Sequence, residues 1–411
     1  MSSDPTAPTV DLAVRSIGGS VLAANDESFG EKENLLKPGP GDFTPGNFGH
    51  KGEIVDGWET RRRRVAGHDW ALIRLGSAGV VTSVDVDTSF FTGNSPVECV
   101  VEGCGVEGYP PPEALIADES DWEVIVPRSA LKSDSHNLFE VTSARRFSHV
   151  RLSIFPDGGV ARLRVNGHVC PDPRRFDRMT VDLAGRENGG LVVLESNRFY
   201  YSAGVINQPG LAPNMGQGWE TRRLRGEGND WVIIKLSARG ILRQLEVDTS
   251  YYKFNASGAF ALQGWDGTGQ PAEESDGWFP LIPRTTLQPD TRQFFDVDST
   301  RSVTYVRFDA FPDGGLSRLR LRGTVTAEGR ESLAYAWLNA LPRSQAIVII
   351  ASTCDVTADV ASQIADLRPF VRGESDVVAT GALPADGAAV DADMAGEITR
   401  CLRTLIEGRS A

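Results

Sequence analysis

Up to about residue 326 the chain is a succession of short apolar and β-branched runs, each closed by Gly or Pro. Val80 to Thr88 alternates most clearly, with Thr82, Val84, Val86 and Thr88 on one face and Ser83, Asp85, Asp87 and Ser89 on the other. That period of two predicts a half-buried strand. Ala71 to Leu75 is a second run, set off from the first by Gly76 and Gly79, and further strands are expected at Trp122 to Val126, before Pro127, and at Val150 to Phe155, before the Asp157-Gly158-Gly159 turn. Short strands at this spacing favour a β-sandwich. From about residue 328 the alternation ends. Arg330 to Pro342 and Arg343 to Phe370 are rich in Ala, Leu and Ile and read as helices, followed by a Gly/Ala/Asp linker near 380 to 393 and an amphipathic helix through Ile398 to Ile406.

The strand pattern occurs twice. Gly57-Trp58-Glu59-Thr60-Arg61-Arg62-Arg63-Arg64 returns as Gly218-Trp219-Glu220-Thr221-Arg222-Arg223-Leu224-Arg225, and about half of the positions from Gly57 to Asn94 are identical to those from Gly218 to Asn255 at a constant offset of 161 residues. Phe155-Pro156-Asp157-Gly158-Gly159 likewise returns as Phe311-Pro312-Asp313-Gly314-Gly315, at an offset of 156. One unit is used twice. The expected organisation is a loose tail over 1–10, a first sandwich over 11–170, a linker over 171–188, a second sandwich over 189–326 and a helical appendage over 330–411. The opening segments align Gly18-Gly19 with Gly189-Gly190 and pair Asn25 with Asn197. Between that opening and the Trp-Glu-Thr motif the first copy carries an insertion, Lys37 to Glu53, whose Pro and Gly density rules out helix or central strand and predicts a long surface loop. Such a loop is where two halves of a duplicated fold can diverge in function.

Composition narrows the function. The 411 residues exceed one ordinary core, as the duplication requires. A net charge of -13 argues against binding nucleic acid, which needs a surplus of Lys and Arg. No apolar run approaches the roughly 18 residues of a spanning helix, so no membrane partner is expected. The start lacks a basic stretch followed by an apolar one, and Cys99, Cys104, Cys170, Cys354 and Cys401 are odd in number without CxxC spacing, which fits reduced thiols in the cytosol. Five His residues form no metal-ligand motif; no cofactor is evident, and a divalent metal remains open without a ligand set to name.

Leu22-Ala23-Ala24-Asn25-Asp26-Glu27-Ser28-Phe29, Lys32-Glu33-Asn34-Leu35-Leu36, Gly52 to Arg63 and Val86 to Asn94 together resemble the allantoicase family. The resemblance runs from about residue 10 to 325. It implies a tandem pair of jelly-roll sandwiches of galactose-binding-like type, a mainly β chain with a small helical appendage, hydrolysis of allantoate to ureidoglycolate and urea in purine breakdown, and a multimer of identical subunits. Trp337-Leu338-Asn339-Ala340-Leu341-Pro342 with Thr353-Cys354 and Leu367-Arg368-Pro369-Phe370 resembles the opening helices of the ureidoimidazoline decarboxylase family. The stretch that carries that family's chemistry is missing, which implies a truncated, non-catalytic remnant.

Cleaving a C–N bond of a diureido acid calls for a cation on the carboxylate, an acid for the departing urea and a base for water. Arg matches a carboxylate with a planar fork, which brings forward Arg61, Arg62, Arg128, Arg222 and Arg223. The same Trp-Glu-Thr-Arg-Arg motif also reads as a fold requirement, with Trp58 in the core and Glu59 paired to Arg61. Asp85 and Asp87 share a strand face and return as Glu246 and Asp248, which suits structure as well as chemistry. Positions where the copies differ are more telling: His68 faces Asn229 in the alignment, and His50, Lys51 and Glu53 lie in the insertion. The candidates are therefore His50, His68, Glu53, Asp87 and Glu59 for proton transfer, and Asn25, Lys51 and the five arginines for binding. Two other functions are compatible with the pattern, a non-catalytic tandem module binding sugars or small ligands and a glycosidase built on Asp85 and Asp87.

Overall fold

The computed structural model describes residues 8–117, 121–370 and 392–407. Most of the expected tail and most of the expected linker near 380 to 393 therefore lie outside the described residues. The chain divides into two compact units, one made of Thr9–Cys170 with Tyr335–Leu405 and the other built on Pro171–Ala334.

The first sandwich contains β1 (Val10–Asp11), β2 (Ser20–Ala24), β3 (Phe43–Gly49), β4 (Gly52–Val55), β5 (Trp58–Glu59), β6 (Asp69–Asp87), β7 (Glu98–Cys104), β8 (Glu123–Ala130), β9 (His136–Glu140), β10 (Arg146–Phe155), β11 (Gly159–Val160) and β12 (Arg162–Val169), with a short helix α1 (Pro112–Ala117) between β7 and β8. The two runs expected as separate strands are one strand of 19 residues, β6. Its first half pairs with β2 and β10, its second half with β9 and β12, so a single strand passes from one layer of the sandwich to the other. The crossing is at Gly76 to Gly79. A Cβ on Gly79 would sit 2.3 Å from the His168 carbonyl oxygen, and one on Gly76 would sit 2.7 Å from that of Ile17, so the glycines admit neighbouring backbone rather than ending the strand. Val84 and Val86 point inward as the alternation predicts and meet Leu163 and Val165, all fully buried.

The insertion is not an irregular loop. Strands β3 and β4 form a hairpin that is a sheet of its own and largely exposed. Its Pro and Gly are compatible with strand here because neither strand lies between two others.

The second sandwich repeats the plan with β13 (Val181–Asp182), β14 (Leu191–Glu195), β15 (Trp219–Glu220), β16 (Asp230–Asp248), β17 (Ala259–Trp265), β18 (Phe279–Thr286), β19 (Arg292–Asp296), β20 (Val303–Phe311), β21 (Gly315–Leu316) and β22 (Arg318–Val325). It lacks a partner for the β3–β4 hairpin. Its core gathers Trp219, Val232, Ile234, Leu245, Val247, Phe260 and Phe308, the last two with rings stacked 5.5 Å apart. The copies correspond one residue away from the sequence alignment. Trp58 Nε1 donates to the Asp26 carbonyl and Trp219 Nε1 to that of Asn197, while within the same copies Asn25 accepts the Trp70 backbone N–H and Ser196 that of Trp231. Asp26, not Asn25, occupies the place of Asn197.

The helices are α2 (Ala327–Ala340), α3 (Arg343–Cys354), α4 (Ala358–Asp366) and α5 (Ala392–Glu407). The residues that carry the decarboxylase resemblance hold one another: Asn339 exchanges two 2.8 Å hydrogen bonds with the Phe370 backbone, and the Arg368 guanidinium donates to the carbonyls of Leu338 and Leu341. Arg145 of the first sandwich also donates to the Leu341 carbonyl, and Gln345 to Glu107. Among the described residues no helix is long and apolar enough to cross a membrane.

Trp58 and Trp219 are both fully buried with their indole N–H satisfied. Trp58→Ala and Trp219→Ala are each expected to cost about 3–5 kcal/mol, read by urea unfolding, with closely similar losses because the two environments are equivalent.

Candidate active site

In β5 the side chains alternate, Trp58 inward, Glu59 outward, and Thr60 inward just beyond the strand. The strand is only two residues long, yet it is held from both sides. Glu59 exchanges backbone hydrogen bonds with Gly30 and pairs with Gly159 of β11. Buried Thr60 bonds through its hydroxyl to the Gly158 N–H, and Asp26 accepts the Arg61 N–H at 2.9 Å. Gly159 must be glycine, since a Cβ there would lie 2.0 Å from the Phe91 ring. These contacts fix where the Glu59 carboxylate points.

It points into a pocket of about 400 Å³, the size of a small-ligand site. Glu59, Asn94 and Thr92 form one wall, and Phe29, Phe43 and Phe90 supply aromatic surface. Lys51, Gly52, Glu53 and Val55 of the hairpin contribute the rest with Asp134. Phe90 has φ 70, in the left-handed region that costs a side-chain-bearing residue about 1–2 kcal/mol. The Asp134 carboxylate holds it there by accepting the Phe90 N–H at 2.8 Å.

Asn94 Nδ2 donates to Glu59 Oε1 at 2.8 Å. Burial pushes the Glu59 carboxyl above the ordinary carboxylate range, and the Asn94 bond draws it partly back. A glutamic acid raised by burial and aimed into a pocket is suited to proton transfer.

Of the residues singled out from sequence, Lys51, Glu53 and Glu59 meet in this pocket. Glu53 also accepts the Gly46 N–H at 2.8 Å and so steadies the hairpin. His50 stands exposed at the hairpin tip. His68 lies against Phe155, ring centroids 4.8 Å apart, and desolvation there with the nearby Arg63 charge lowers its pKa. Arg128 covers the same Phe155 ring and binds Glu98. Asn25 bridges Asp69 and the Trp70 backbone. Asp87 is buried and accepts the Ser89 N–H, while Asp85 binds His136. Arg61 pairs with Asp26 at 3.1 Å instead of Glu59, and Arg62 is exposed. Arg222 and Arg223 lie in the other unit, Arg222 over the Phe199 ring.

Asn94, Thr92, Phe29, Phe43, Phe90 and Asp134 were not anticipated. Asn94 had a signal, because it closes the block shared with the second copy. Asp134 had none, since only the left-handed Phe90 gives it a task. Among the described residues no three His, Cys, Asp or Glu side chains are grouped to hold a metal ion.

The model of the allantoicase repeat matches residues 10–170 and again 181–326. A probable allantoicase of Streptomyces avermitilis is 47% identical over 340 residues, covering 80% of this chain and 89% of the relative. One of Nocardia farcinica is 48% identical over 317 residues, covering 77% and 94%. Among solved structures, allantoicase from Saccharomyces cerevisiae superposes with a TM-score of 0.66 at 29% identity, covering 77% of this chain and 93% of that one.

A carboxyl whose pKa is raised on folding adds stability below its unfolded-state value and loses it as pH rises through the folded value. Wild type and Glu59→Gln should thus unfold alike in acid, where both side chains are neutral. Glu59→Gln should be the more stable at neutral pH, as thermal melts across that range will read.

Proposed function

The chain belongs to the allantoicase family and hydrolyses allantoate, and from that premise we infer that the reaction takes place in the pocket of the first sandwich, with Glu59 as its proton-transfer group. The observation that carries the assignment is the half-buried Glu59 carboxyl, raised above its ordinary pKa and fixed by Asn94.

Allantoate has a central carbon bearing a carboxylate and two ureido groups. Lys51 at the hairpin rim supplies the cation for the carboxylate. The aromatic faces of Phe29 and Phe90 flank the planar ureido groups and thin the water around them. Protonated Glu59 gives its proton to the nitrogen of one ureido group as the C–N bond breaks, the bonding pair leaving with urea. The remaining ureido nitrogen donates its lone pair to the central carbon. Water then adds there, and the Glu59 carboxylate takes its proton, which restores the acid and yields ureidoglycolate. One carboxyl serves both halves, as microscopic reversibility allows. Glu53, which lines the same pocket, orients the water or the second ureido N–H.

Five buried cysteines outside any disulfide suit a reducing compartment, and we place the reaction in the cytosol. Assembly into a multimer of identical subunits is expected from the family resemblance and is read by sedimentation.

Glu59→Gln is expected to lower kcat by about 10²–10⁴-fold, the usual share of a general acid–base group. Lys51→Ala should act mainly on KM. Because the Asn94 bond lowers the Glu59 pKa, Asn94→Ala should raise it, and the alkaline limb of kcat/KM, where the acid form is lost, should move to higher pH. A urea-release assay across pH checks all three, and full activity in Glu59→Gln would refute the assignment.

A further inference from the structure

The second sandwich keeps the centre of the pocket and changes its surroundings. Glu220 stands where Glu59 does, on the two-residue strand β15, and Asn255 Nδ2 donates to Glu220 Oε1 at 2.8 Å, the same distance as in the first copy. Tyr251 matches Phe90 down to its left-handed backbone, φ 72, and its N–H is held by the Asp290 carboxylate as that of Phe90 is by Asp134. A structural need for Trp219 and Thr221 explains strand β15. It does not explain why the outward carboxylate, the amide that holds it and the strained aromatic beside it are all retained.

The replacements add recognition surface rather than removing it. Lys253 takes the place of the pocket-lining Thr92, and its ammonium reaches Asp290 only at 3.9 Å, with the side chain 65% exposed. Phe199, Tyr201 and Phe254 stand where the first copy has Ser28, Gly30 and Gly93. All three are exposed, Phe254 by 99%. Exposed aromatics on the segments that carry a carboxylate, an amide and a lysine, Tyr201 bridging the Glu220 backbone, mark a binding surface.

We propose that the second sandwich holds its own binding site for a small ureido carboxylate, centred on Glu220, Asn255 and Lys253. Its ligand class rests on reading the first pocket as the place where allantoate is bound. The free Glu220 oxygen accepts ureido N–H groups, Lys253 meets the ligand carboxylate, and the face of Tyr251 receives the planar ureido group. No hairpin covers this site, so water reaches it and the ligand is bound without turnover. The second sandwich thereby senses or retains the ligand class that the first one cleaves.

N-Carbamoylglycine has one ureido group and one carboxylate and lacks the second ureido group that would leave, so it reports binding alone. Calorimetric titration of the full chain is expected to give two equivalents per chain. Glu220→Gln and Lys253→Ala should each remove one of them, or weaken it about tenfold, the loss of one charged contact, while turnover of allantoate is unchanged. Lys253 is exposed, so its variant reads the site even if Glu220→Gln unfolds. A single equivalent in the wild-type chain, or two that ignore both substitutions, overturns the proposal. So does self-association abolished by Phe254→Ala with no ligand bound, which would assign the aromatics to a protein contact. Failure of the Glu59 assignment shows separately, as turnover in Glu59→Gln.

Discussion

The site depends on how a strand of two residues is kept in place. Two residues cannot hold a ladder by themselves, so the register of β5 comes from outside it: Gly30 on one side, Gly159 on the other, Trp58 sealed in the core and Thr60 tied to Gly158. With tryptophan and threonine committed to the interior, period two leaves the intervening glutamate only one direction. The Trp-Glu-Thr motif is therefore a structural signal whose inward residues turn the glutamate toward the pocket. The inward residues fix the geometry that makes the outward one useful.

Duplication placed this device in the chain twice, and the two copies surround the carboxylate differently. In the first copy the β3–β4 hairpin adds Lys51 and Glu53 to the lining of the pocket that Glu59 faces. In the second copy that hairpin is absent and aromatic side chains spread out from Glu220 to solvent. Glu59 is shifted upward by burial.

The sandwiches were legible because their strands are short β-branched runs closed by turns, with clear alternation in Val80 to Thr88, and the repeat was legible because its signal spans dozens of positions. Where the sequence reading failed, local rules met tertiary demands. Gly76 and Gly79 looked like strand ends but are the sites where β6 makes room for neighbouring backbone as it changes layers. Pro45 and Gly46 looked like loop, yet a hairpin outside the main sheets tolerates both. The pairing of Asn25 with Asn197 was a match of letters, and hydrogen bonds move it by one residue, to Asp26. Among the residues that line the pocket, Glu59 and the hairpin pair Lys51 and Glu53 had been singled out by motif and by insertion. Asn94 and Asp134 escaped because each acts through another residue, and sequence spacing does not show which carboxylate an amide will hold.

Such supporting residues explain how the pocket tolerates unfavourable features. An aromatic residue in the left-handed region and a carboxyl pressed above its normal pKa both oppose folding. Each is countered by one hydrogen bond from a loop side chain, Asp134 for Phe90 and Asn94 for Glu59. Both counterweights attach to the turn that follows β6, so the longest strand of the sandwich, anchored in both layers, carries the strain of the site. A shorter β6, ending at Gly76 as its sequence suggests, would leave that turn without its anchor in the second layer, and neither the ring nor the carboxyl would be held where a ureido acid could meet both.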